Sequence, residues 1–133
     1  MIDYGFYKEL DYTFEQTIKI VLEKIKNSEF NVITQIDLKK KFKEKLGRNY
    51  KEYLILGLCD TENAFQVVEA ENNIGLMLPC NLIVYEKVDK TVIAIMKPSA
   101  MMASMDNLEL EADLPYEDEY AIACLSPYSF YHG

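Results

Sequence analysis

The run Tyr53-Leu54-Ile55-Leu56-Gly57-Leu58-Cys59 constrains the fold more than any other part of the chain. It carries no charge and is apolar almost without interruption, which suits a strand covered on both faces in the interior of a sheet. An interior strand obliges the rest of the chain to supply neighbours on either side. The run is also far shorter than the ~20 apolar residues that a membrane-spanning helix needs, and no other apolar run comes closer.

The flanking segments are patterned to meet that obligation. Residues 4–10 form a short aromatic-rich strand. Thr13, with Gln16 three residues on, makes a capping box, and Phe14, Ile18, Val21, Leu22 and Ile25 then recur at helical spacing. Phe30, Val32, Thr34 and Ile36 alternate with Glu29, Asn31, Ile33 and Gln35, as in a half-buried strand. Asp37 caps a helix carrying Leu38, Phe42 and Leu46, which Gly47 stops. Asp60 caps a third helix, with Ala64, Phe65 and Val68 expected inward, ending near Asn72-Asn73. Strands at about 81–86 and 91–96 follow, joined as a hairpin by Lys87-Val88-Asp89-Lys90. Pro98 suits the first turn of a closing helix through Ala100, Met101, Met102 and Met105. The order β-α-β-α-β-α-β-β-α predicts an α+β two-layer sandwich, a mixed or antiparallel sheet with helices on one face. Residues 1–112 make one domain, and 113–133 form an acidic, tyrosine-rich tail.

Charge and cysteine use narrow the function classes. The net charge is -8 over 133 residues, the opposite balance to that of most proteins that live on phosphate backbones, so neither nucleic acid nor membrane is expected as a partner. The charge is uneven. Lys39, Lys40, Lys41, Lys43, Lys45, Arg48 and Lys51 face a single acid, Glu44, within 39–51, whereas 106–119 holds Asp106, Glu109, Glu111, Asp113, Glu117, Asp118 and Glu119 and no base. The lysines read first as the solvated face of one helix. A nucleic-acid patch, and contact with an acidic tail such as that of a second subunit, are the alternatives. Three cysteines and no basic-then-apolar leader point to reduced thiols in the cytoplasm.

Tyr4-Gly5-Phe6, Phe30-Asn31-Val32-Ile33-Thr34 with Asp37-Leu38-Lys39, Tyr53 to Asp60, Ala64, Gly75-Leu76-Met77-Leu78-Pro79-Cys80-Asn81 and Lys97-Pro98 together resemble the domain of unknown function 302 family over residues 4–105. The resemblance implies a compact two-layer α+β domain, a homodimer, and no particular reaction. The prolines of Leu114-Pro115-Tyr116 and Ser126-Pro127-Tyr128 depart from the regular closing helix that the resemblance implies.

The chemistry centres on Cys80, the candidate nucleophile, which follows Pro79 where a loop enters a strand. Cys59 closes the preceding strand beside the helix start at Asp60, where unpaired N–H groups favour a thiolate but Asp60 and Glu62 oppose it. If these two strands are antiparallel neighbours, the cysteines meet; if parallel, they stand roughly 15–20 Å apart. A free cysteine is more often a small core hydrophobe, and the Asn81 amide more often serves its own loop. Cys124 lies in the tail. His132 is the single histidine and is penultimate, so no Cys-His dyad or histidine-rich zinc site is expected within the domain, and no metal.

Three functions fit. The first is a homodimeric, non-enzymatic module binding a small apolar or thiol-reactive ligand among Cys59, Leu76, Leu78, Cys80, Asn81 and nearby methionines such as Met77 and Met96. The second is a thiol-dependent enzyme or redox sensor using Cys80. The third is an assembly role in which the basic 39–51 segment meets an acidic surface. No cofactor is indicated, and the sequence does not decide whether the chain is an enzyme.

Overall fold

The computed structural model describes residues 5–97. The strands are β1 (Gly5–Leu10), β2 (Asn31–Asp37), β3 (Tyr53–Cys59), β4 (Cys80–Lys87) and β5 (Lys90–Met96), and the helices are α1 (Phe14–Lys26), α2 (Leu38–Leu46) and α3 (Thr61–Ala70). The strands form one antiparallel sheet in the order β1-β5-β4-β3-β2. The expected α+β architecture holds, and β3 is indeed interior, between β4 and β2. The closing helix, the tail, Cys124 and His132 fall outside the described residues.

Alternation along each strand sorts the side chains onto two faces. On the first face lie Leu10, Leu54, Leu56, Leu58, Cys80, Leu82, Val84, Ile93 and Ile95, all buried. Val21 and Ile25 of α1 are buried in the same cluster, with Phe14 and Ile18 packed against it, so α1 covers this face. The capping box forms as the sequence predicts: Gln16 N donates to Thr13 Oγ1, and Thr13 N to Gln16 Oε1. One inner position differs. Leu22 is 38% exposed and Thr17 is fully buried, its hydroxyl donating to the Thr13 carbonyl at 2.8 Å. That bond satisfies the hydroxyl inside the helix and lets a polar residue sit in the core.

Two further expectations are corrected. The alternation of β2 does not hold to one face, because the β2–β3 register shifts between Val32 and Thr34. Val32 stands opposite Leu58, on the first face, whereas Thr34 and Ile36 stand opposite Gly57 and Ile55, on the second. The bulge falls in an edge strand, where an unpaired residue is tolerated, and most of β2 is exposed. In α3, Phe65 is 68% exposed and Val67 is the buried residue. The inward stripe is set by contact with the 3-10 segment Asn72–Met77, where Val67 and Ile74 are buried together and Val68, Ala70, Met77 and Leu78 pack around them. Phe65, two residues from Val67, is turned well away from that stripe.

Candidate functional site

The end of the sheet where β3 stops and β4 starts holds most of the residues singled out from the sequence. Leu58 pairs with Cys80 and Gly57 with Asn81. The strands are antiparallel neighbours, and so the backbones of Cys59 and Cys80 do meet. Their side chains part. Cys80 shares the first face with Leu58 and is 5% exposed, its thiol donating to the Met96 carbonyl at 3.8 Å. Cys59, one residue beyond Leu58, is turned to the second face and is half-buried. Both are thiols.

Asn81 is exposed on the second face beside Gly57. A Cβ built on Gly57 would lie 2.1 Å from Thr34 Oγ1 and 2.7 Å from Pro79 Cγ. The glycine therefore lets β2 and the Leu78-Pro79 loop close together over β3, a close approach that only a residue without a side chain allows. The other candidates are separated from Cys80. Leu76 is 90% exposed, while Leu78 and Met77 pack on Val67 and Ile74 in a second, smaller cluster. Met96 packs against the main core. The structure thus brings Cys59 and Asn81 to one face, puts Cys80 on the other, leaves Leu76 in solvent and packs Leu78 toward α3.

The second face continues as a row of Ile36, Ile55, Ile83, Ala94 and Tyr7 across all five strands. Ile55 and Ile83 are half-buried, and Ala94 is buried. Beside this row, Tyr53 and Tyr85 stack with centroids 5.1 Å apart and planes 7° from parallel, and Lys51 Nζ lies 4.8 Å from the Tyr85 centroid.

A polar cluster at the β1 side of this face was not foreseen. Tyr7 OH donates to Glu9 Oε2 at 2.7 Å, and Lys87 Nζ donates to the same oxygen at 2.9 Å. Those bonds, Lys87 first and Tyr7 next, hold the Glu9 carboxyl below its ordinary range, and Glu9 in turn raises Lys87. Burial raises the Tyr85 phenol, with Tyr7 adding to the effect. The hint in the sequence was the Gly5-Tyr7-Glu9 alternation, but its meaning depends on β1 pairing with β5, which no local pattern encodes. Among the described residues, no group of three or more histidine, cysteine, aspartate or glutamate side chains is placed to hold a metal. Among them, too, no helix is long and apolar enough to cross a membrane.

Comparison with known proteins agrees with this fold. The family model "Domain of unknown function DUF302" matches residues 6–120, so the match continues past residue 105, where the resemblance read from the sequence ended. The crystal structure of an uncharacterized conserved DUF302 protein from Bacillus stearothermophilus superposes with a TM-score of 0.85 at 26% identity, covering 93% of this chain and 97% of that one. No curated protein matches the chain significantly.

Proposed function

The chain belongs to the DUF302 family, which is named for the absence of an assigned reaction, and from that premise we propose that it works as a homodimeric, non-enzymatic binding module of the cytoplasm. Its ligand is small and apolar or thiol-reactive. It sits on the second face of the sheet, at the end where β3 stops and β4 begins. The observation that carries this reading is the partial burial of Tyr53, Ile55, Ile83 and Tyr85 on one sheet face. A row of large apolar side chains left half-buried together marks a surface that something else covers. Asn81 supplies an amide at the rim, and Cys59 a thiol.

A thiol-dependent enzyme or sensor built on Cys80 has less to support it. The Cys80 side chain is in the core, and β4 would have to release its first residue before the thiol could meet a substrate.

The test uses the fluorescent probe 1-anilinonaphthalene-8-sulfonate with the full chain, alongside sedimentation equilibrium. Saturable binding that survives Cys80→Ser and is lost in a folded Ile83→Lys variant, on a dimeric protein, supports the reading. Binding that is absent, or that is abolished by Cys80→Ser while Ile83→Lys leaves it intact, overturns it.

A further inference from the structure

Helix α2 and the loop that follows it form a surface the proposed ligand site does not use. The helix has no buried residue, and its side chains Phe42 and Leu46 join Arg48, Asn49 and Tyr50 in lining a cleft of about 520 Å³. The floor is apolar and accessible: Leu46 is 63% and Tyr50 45% exposed, and Phe42 meets Tyr50 edge to face at 5.2 Å. Positive charge surrounds it. Lys39 has Glu52 at 3.9 Å and Lys43 donates to Asn49, but Lys40, Lys41, Lys45 and Arg48 meet no acid among the described residues. An apolar cleft ringed by unneutralised cations suits a peptide that carries acids and aromatic or aliphatic side chains together.

We infer that this cleft is the docking site for the chain's own segment 113–120, Asp-Leu-Pro-Tyr-Glu-Asp-Glu-Tyr. The segment supplies both halves of the required chemistry. Leu114, Tyr116 and Tyr120 match the floor, and Asp113, Glu117, Asp118 and Glu119 match the cationic rim. The concentration of seven acids and no base in 106–119, against seven bases and one acid in 39–51, makes the two stretches complementary on a chain whose overall charge is negative. The reach is sufficient. The described chain ends at Lys97, beyond the end of β5 remote from α2, and residues 98–112, with the closing helix expected from Pro98 through Met105, reach up to about 36 Å. The sheet it must cross is about 23 Å long along β5. Docking in the same chain shields the lysine cluster from other polyanions.

The experiment is carbodiimide cross-linking of the full chain, followed by peptide mass analysis, on an equal mixture of ¹⁴N- and ¹⁵N-labelled protein. The inference predicts single-isotope links from Lys40, Lys41 or Lys45 to Glu117, Asp118 or Glu119. Their yield falls by about tenfold in Lys41→Glu/Lys45→Glu, as several surface pairs acting together allow, and returns when Glu117→Lys and Glu119→Lys are added. It also falls at about 1 M salt, where the Debye length is about 3 Å. Mixed-isotope links identify a second copy as the occupant and overturn the inference. So does the absence of links, or tight binding of a single-stranded oligonucleotide by the unmodified full chain at physiological salt.

Discussion

Cys80 stands directly opposite Leu58 in the β3–β4 ladder, and this pairing decides the standing of every thiol in the described domain. Because residues paired across a ladder share a face, Cys80 is fixed in the core with Leu58, and Cys59 is turned to the second face. A one-residue change of register would have put both thiols on the same face.

Alkylation of the native protein is therefore expected to label Cys59 before Cys80. Cys80 becomes available only through local opening of the strand end, which slows it by about tenfold or more. Iodoacetamide labelling resolved by peptide mass checks this, and equal rates for the two thiols would contradict it.

Gly57→Ala is expected to destabilise the fold by about 1–3 kcal/mol, the usual cost of forcing an extra carbon into a packed site. The new Cβ meets both Thr34 and Pro79. Thr34→Gly in the same chain relieves only the Thr34 part, since the Pro79 ring cannot rotate away. Urea midpoints of the single and double variants measure both effects.

Leu56→Ala removes a fully buried side chain from the centre of the first face and is expected to cost about 2–5 kcal/mol. Phe65→Ala, on the exposed side of α3, is expected to change stability by no more than about 0.5 kcal/mol. Thermal melts of the two variants compare them directly. A larger loss for Phe65→Ala would mean that α3 is turned the other way.

The Glu9–Lys87 pair gives stability a defined pH dependence. Glu9 lies below its ordinary value of 4.5 in the folded state, so its contribution is present above the unfolded carboxylate pKa and is lost as pH falls through the lowered folded value. Lys87 lies above 10.5, so its contribution is present below that value and is lost as pH rises through the raised one. Both groups are at the surface, and salt is expected to weaken the effect. Glu9→Gln should flatten the acid limb of the urea midpoint against pH and lower Lys87 toward its ordinary value. An unchanged acid limb would show that the pair does not form in solution.

The parts of the fold legible in the sequence were those set by neighbours along the chain. The Thr13–Gln16 box, the Asp37 and Asp60 caps, the apolar β3 and the two-residue turn between Lys87 and Lys90 are each written in a few adjacent residues, and each appears in the structure. What depended on pairing was not legible. The bulge at Ile33 arises because Gly57, on another strand, leaves room for Thr34. Phe65 turns outward because Val67 is held by Ile74 across a break in the helix. The candidate site suffered most. Leu76, Leu78, Cys80 and Asn81 are close in sequence, yet a 3-10 segment, a proline loop and a strand distribute them to different surroundings. Cys59 and Asn81, which do share a face, are 22 positions apart and are brought together by register alone.

The central claim is that the second sheet face is the working surface, and isoleucine methyl NMR tests it most directly. Ile36, Ile55 and Ile83 lie on that face, whereas Ile25, Ile93 and Ile95 report the sealed core. On titration with 1-anilinonaphthalene-8-sulfonate, the account predicts saturable shifts of the Ile55 and Ile83 methyls with the core methyls unmoved. Shifts confined to the core isoleucines or to Ile74 near α3, with Ile55 and Ile83 unaffected, would contradict it.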